Sequence, residues 1–172
     1  SLLKRAFSGQ PDNVLKPIRQ IIKENSNNEF PIEKIQERFK GTNKSILFTE
    51  DDINEFLLNL RYGKSDTLST LMLLYPSLDF KNKFHMDHIY PKSKFKRSYL
   101  KKQGISEDKI DEYINSVNDI TNLQLLAAQL NEEKLDTDFD QWFNSHQPTE
   151  DGKFNYREIN YLPNMIYTYE NY

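Results

Sequence analysis

Apolar residues recur at helical spacing through the first half of the chain. Val14, Ile18, Ile21 and Ile22 share one helix face, at steps of 4, 3 and 1. Residues 31–39 repeat the pattern, with a proline tolerated in the first turn and Gly41 as a stop. Thr49 suits the N-cap of a third helix, with Asp52 as an acidic variant of the capping box. Ile53, Phe56, Leu57 and Leu60 are expected to face inward there, and Gly63 to end the helix. Ser65 or Asp66 then opens a fourth helix that carries Leu68, Leu71, Met72 and Tyr75 and stops at Pro76.

The character changes near Asp79. Residues 80–89 are aromatic and partly alternating, which predicts a strand. Ser106 caps a helix running to Val117, 122–126 form a second short strand, and a helix follows from Gln129 through Lys134. Residues 138–143 continue that helix or form a separate turn, and 156–169 read as an aromatic helix broken or bent at Pro163. The expected fold class is α+β, mostly α. It has a helical scaffold over 1–78, a core over 79–145 with an insertion over 92–120, and an aromatic tail over 146–172. The opening Leu2-Leu3-Lys4-Arg5-Ala6-Phe7 reads like the interior of an element, so a piece of a longer protein is expected.

Composition narrows the choice. A chain of 172 residues suits one domain with a small appendage. The absence of cysteine excludes a disulfide scaffold and any thiolate zinc site. The longest apolar run, Leu71 to Tyr75, is far shorter than the roughly 20 residues of a membrane span, and no secretory signal opens the chain. A cytoplasmic protein with no membrane partner is expected. A net charge of −3 speaks weakly against nucleic acid, but it averages two unlike parts. Residues 81–102 hold eight Lys/Arg against one acid, Asp87, whereas the remainder holds 15 against 25.

The basic stretch contains His85-Met86-Asp87-His88-Ile89-Tyr90-Pro91-Lys92-Ser93, followed by Asn122-Leu123-Gln124-Leu125-Leu126 and then Asn131-Glu132-Glu133-Lys134. Phosphodiester hydrolysis needs a base for water near neutral pH, which an imidazole supplies. It also needs a hard cation, and Mg²⁺ takes oxygen ligands, often only one or two of them from protein. Asp87 and the amide oxygen of Asn131 meet that demand. Neighbours in a strand point to opposite faces, so a strand ending at Asp87, with a bend, would turn His88 toward the same phosphate.

This set resembles the HNH (ββα-metal) endonuclease signature: a ligand–His pair closing one strand, an Asn opening the second, and an Asn or His on the next helix. The nine-residue step from Asn122 to Asn131 looks like that in the HNH domains of CRISPR effector nucleases. The closer likeness is to the C-terminal HNH domain of bacterial type IV restriction and phage-defence proteins with a ParB-like nucleotide-hydrolysing domain. The likeness is specific over 85–134. It departs in having Asp87 where Glu or His is common, and in the long gap between His88 and Asn122. It implies His88 as general base, Asp87 and Asn131 as ligands of one divalent metal (Mg²⁺, with Mn²⁺ as substitute), and Asn122 as the residue that holds the loop presenting His88. It implies Lys134 at a phosphate, DNA as substrate, and a ParB-like NTPase domain of the same protein as partner.

Blander readings stand beside these. Asn122 suits a turn and Asn131 a helix N-cap. Lys92, Lys94, Lys96 and Arg97 fit a solvated loop as well as a phosphate track. His85 fits packing, support of the site, or phosphate contact. Tyr90 and Phe95 fit the core better than base stacking. The competing functions are a vestigial nucleic-acid-binding module and a helical interaction domain.

Overall fold

The computed structural model describes residues 6–25, 29–75, 78–79 and 81–172. Pro76 and Phe80, expected to stop a helix and open a strand, lie outside the described residues, as do Leu2 to Arg5. The chain folds as two compact units, 1–57 and 58–172.

The first unit is helical. α1 (Asp12–Glu24) and α2 (Ile32–Phe39) close on each other through Val14, Ile35 and Phe39, with Ile18, Ile21 and Ile46 at the margin. Gly41 follows α2 with φ 70°, a left-handed conformation that glycine adopts without a Cβ penalty. α3 (Glu50–Leu58) starts with a reciprocal capping box: Asp52 N donates to Thr49 Oγ1 at 3.1 Å, and Thr49 N donates to Asp52 Oδ2 at 2.9 Å. The inward face expected of α3 is absent. None of its residues is buried, it ends five residues before Gly63, and the buried Leu60 lies in the loop beyond it, within the second unit.

The second unit begins earlier than the division expected at 78/79, because α4 (Ser65–Leu74) packs on the sheet. Leu71 and Tyr75 pack with Leu123 and Leu125, and Met86 adjoins them. Leu68 and Met72, carried by the same helix, are exposed. The sheet is one antiparallel pair, β1 (Phe84–His88) and β2 (Leu123–Ala127), in which His85 faces Leu126, Asp87 faces Gln124, and His88 faces Leu123. α7 (Ala128–Lys134) follows β2 directly and packs on both strands.

The long insertion is structured. A 3-10 turn (Lys92–Lys94) leads to α5 (Arg97–Lys102), which the sequence pattern did not predict, and α6 (Glu107–Ser116) returns alongside it. Arg97 pairs with Glu107 and Asp111, and Lys101 pairs with Glu107 at 2.7 Å. Leu100, Ile105, Ile110 and Tyr113 belong to the main core. So do Phe139, Trp142 and Phe143 of α8 (Phe139–His146), and Tyr156 of α9 (Glu150–Asn160). α9 starts before and ends within the expected 156–169 span. Tyr161 takes a left-handed φ of 53°, and Leu162 N donates back to Arg157 O at 2.9 Å, closing the helix three residues before Pro163. The rest of the tail holds a 3-10 turn (Tyr169–Asn171) and is fixed by aromatic contacts: Tyr167 and Tyr169 are buried, and Tyr169 Oη donates to Asp138 Oδ1 at 2.7 Å. Insertion and tail thus share one core with the strands.

Candidate active site

Strand alternation sends His85 and Asp87 to one face of the sheet and Met86 to the other. α7 lies against the first face. Asn131 and Lys134, one turn apart on α7, meet His85 and Asp87, two residues apart on β1. Asn131 Nδ2 contacts His85 Nδ1 at 3.2 Å, and Lys134 Nζ donates to Asp87 Oδ2 at 2.9 Å. Gln124, directly across the ladder, donates Nε2 to the same Asp87 oxygen at 2.9 Å, while its own Oε1 is buried without a hydrogen bond. Lys134 also donates to the carbonyl oxygen of His88 at 2.6 Å. Its side chain is 0% exposed, and burial lowers its pKa against the opposing pull of Asp87. The expectation that Lys134 meets a phosphate is therefore not met: its ammonium is spent inside the protein. Among the described residues no group of three or more His, Asp or Glu side chains gathers in metal-binding geometry.

β1 runs through His88 rather than ending at Asp87, so the condition for a bend there is not met and the two side chains have separate surroundings. The His88 ring stacks on Tyr62, with centroids 4.4 Å apart and planes at 29°, and its Nε2 lies 3.0 Å from Asn118 Oδ1. Burial lowers the pKa of His88. The Asn118 hydrogen bond and the Asp87 charge oppose this, and the charges of Lys92 and Lys134 add to it.

Asn122, 1% exposed, closes the turn beyond His88. It accepts from Tyr90 N at 2.8 Å, donates to Tyr90 O at 3.1 Å, and donates to Val117 O at 2.9 Å. Its backbone carbonyl receives Ile89 N at 2.8 Å, extending the strand ladder by one bond. Asn122 thereby clasps the segment that leaves β1. Tyr90 and Phe95 are buried in the core, edge-on to Tyr169 and Tyr172, rather than presented for stacking.

Lys92 is exposed on the turn after Pro91, and Lys94 lies over the Tyr99 ring at 5.3 Å. Lys94, Lys96 and Lys102 line one open concavity with Ser93, Ser98 and Asp136. Arg97 and Lys101 are engaged by the acids of α6.

Sequence reasoning missed Gln124, Tyr62 and Asn118. Gln124 had a signal: it alternates with Leu123 and Leu125 in a buried strand, where a polar residue needs a partner. Tyr62 and Asn118 had none, since both lie outside the motif segments.

No curated protein matches the chain. Residues 26–160 match the C-terminal domain of GmrSD restriction endonucleases, a span that takes in both strands, the insertion, α7, Tyr62 and Asn118. A match over most of its length makes this chain a member of the family of C-terminal domains of GmrSD restriction endonucleases.

Proposed function

We propose that this domain is an HNH-type, metal-dependent DNA endonuclease in which His88 is the general base and Asp87 and Asn131 ligate one divalent cation, Mg²⁺, with Mn²⁺ as substitute. The state of His88 carries the reading. Burial lowers the pKa of its imidazole, which favours the neutral form that takes a proton from water.

The donor set fits a hard cation. Asp87 accepts both of its hydrogen bonds on Oδ2, Asn131 meets His85 through nitrogen and keeps its amide oxygen, and Gln124 adds a buried oxygen without a hydrogen bond. Bound there, the cation would stabilise charge developing on the phosphate and on the leaving oxygen. Asp87 and His88 are consecutive at the end of β1, and the Asp87 charge acts on the His88 ring. Asn122 holds the turn that follows the base. Lys92, close enough to lower the His88 pKa, and Lys94 supply positive charge to the DNA backbone. His85 orients Asn131. A ParB-like NTPase domain of the same protein, acting with this domain in the bacterial cytoplasm against foreign DNA, completes the reading.

One observation favours a second reading, a nucleic-acid-binding module without hydrolysis: Asp87 already has a buried counter-ion in Lys134. Supercoiled plasmid with Mg²⁺ or Mn²⁺ separates the two. Nicking or linearisation is expected, EDTA should abolish it, and His88→Ala should slow it by about 10²-fold or more. Cleavage untouched by His88→Ala overturns the role of the base. Salt-sensitive binding with no cleavage in either metal selects the second reading.

A further inference from the structure

We infer that Tyr62 and Asn118, from two segments outside the motif, form a clamp that fixes the plane and the tautomer of His88. The inference rests on His88 being the base of the proposed reaction, and both are positioning residues in it.

The clamp is built from the backbone upward. Residues 60–62 are pinned below α4. Leu60 is buried, and the fully buried Thr67 both accepts from Arg61 N at 3.0 Å and donates to Arg61 O at 2.7 Å. Arg61 and Asp119 form an isolated antiparallel bridge, reinforced by an ion pair at 3.0 Å between Arg61 Nε and Asp119 Oδ1. Tyr62 N donates to Asn118 O at 2.8 Å. The two residues that touch the His88 ring are therefore hydrogen-bonded to each other. The same assembly is tied to the strand ladder through Asn122, which grips Val117 O on one side and Tyr90 on the other.

Each partner removes a different freedom. An imidazole at the end of a strand can rotate about its Cβ–Cγ bond, and it exchanges its proton between two nitrogens. Tyr62 lies against one ring face and opposes the rotation. Asn118 turns its amide oxygen to Nε2. An amide oxygen only accepts, so Nε2 carries the hydrogen and Nδ1 is the nitrogen with the free lone pair. A base that always offers the same nitrogen in the same plane needs no reorientation before it takes a proton. Tyr62 is 45% exposed, so replacing it does not open the core.

The first test needs neither metal nor DNA. At about pH 8, where an ordinary imidazole is neutral, long-range ¹H–¹⁵N correlation on the intact chain should show His88 as the Nε2–H tautomer. Its ring protons should be shifted upfield by Tyr62. Asn118→Leu should turn the tautomer signature into a mixture, and Asn118→Asp, which keeps an acceptor oxygen in place, should restore it. Tyr62→Leu should abolish the upfield shift, and Tyr62→Phe should keep it.

The second arm is single-turnover plasmid cleavage. Asn118→Leu and Tyr62→Leu should each lower the rate at least tenfold at unchanged DNA Kd, whereas Asn118→Asp and Tyr62→Phe stay within threefold of the parent. A His88 spectrum indifferent to Asn118→Leu overturns the clamp, as does cleavage indifferent to both leucine variants. If the parent protein cleaves no DNA while the spectra change as described, the endonuclease reading fails and the clamp stands as a structural device.

Discussion

Lys134 Nζ lies 2.9 Å from Asp87 Oδ2 with its side chain wholly removed from water. A buried pair of this kind is held by mutual need rather than by net gain. Each ion is desolvated, and the attraction repays that cost only while both are present. Lys134→Met should therefore destabilise the 58–172 unit by about 3–5 kcal/mol, because it leaves an uncompensated carboxylate beside Gln124. Adding Asp87→Leu should recover most of that loss. Urea midpoints of the two single variants and the double variant test this, and additive losses would refute it.

Asn122 satisfies two backbone groups of Tyr90 and the carbonyl of Val117 from a position 1% exposed. Asn122→Ala leaves Tyr90 N buried and unpaired, which costs about 1–3 kcal/mol. The loss should be local as well as global. Hydrogen exchange at the Tyr90 amide should accelerate more than exchange in α8, and equal acceleration in both would mean that Asn122 does not clasp the turn.

The contrast between Asn122 and Lys134 shows what was legible in the sequence. Local signals were readable, because the capping box of Thr49 and Asp52 and the helical spacing of Val14 and Ile18 involve neighbours in the chain. The two strands and α7 were also readable, from short apolar patterns. α5 was not, since it has one buried residue, Leu100, and takes its place through ion pairs with α6. Lysine is almost never buried without a partner, and the partner of Lys134 lies 47 residues away, across a strand pairing that has to form first. The same distance problem hid Tyr62 and Asn118, which meet His88 only after 61–62 and 118–119 pair. The mistaken inner face of α3 has a different cause: an amphipathic pattern states that a face is apolar, not what covers it.

His88 gives the fold a pH dependence of known sign. Its pKa is lowered on folding, chiefly by burial, so as pH falls the unfolded chain takes up the proton first. The stability tied to this group is complete above the ordinary imidazole value. It declines as pH falls from that value through the folded-state value. Between about pH 7.5 and pH 5, the wild-type protein should lose more stability than His88→Gln, compared by denaturant midpoints at each pH. A decline identical in both proteins would show that His88 is not desolvated by the fold.

The positive charge of 81–102 is divided by α6 into engaged and available cations, and DNA binding should report the division. Arg97 and Lys101 face Glu107 and Asp111, so a phosphate must compete with carboxylates for them. Lys92 is exposed on the turn after β1, and Lys94 and Lys96 line an open concavity. Each lysine that neutralises a phosphate adds about 0.9 to the slope of log K against log salt. Lys92→Gln and Lys94→Gln should therefore each flatten that slope by about 1 and weaken binding similarly across sequences. Lys101→Gln should change the slope much less, because it removes an ion pair within the protein rather than one with DNA. Fluorescence anisotropy of a labelled duplex, titrated at four or more salt concentrations, measures all three. A Lys101→Gln effect as large as that of Lys92→Gln would show that the acids of α6 yield their cations to DNA.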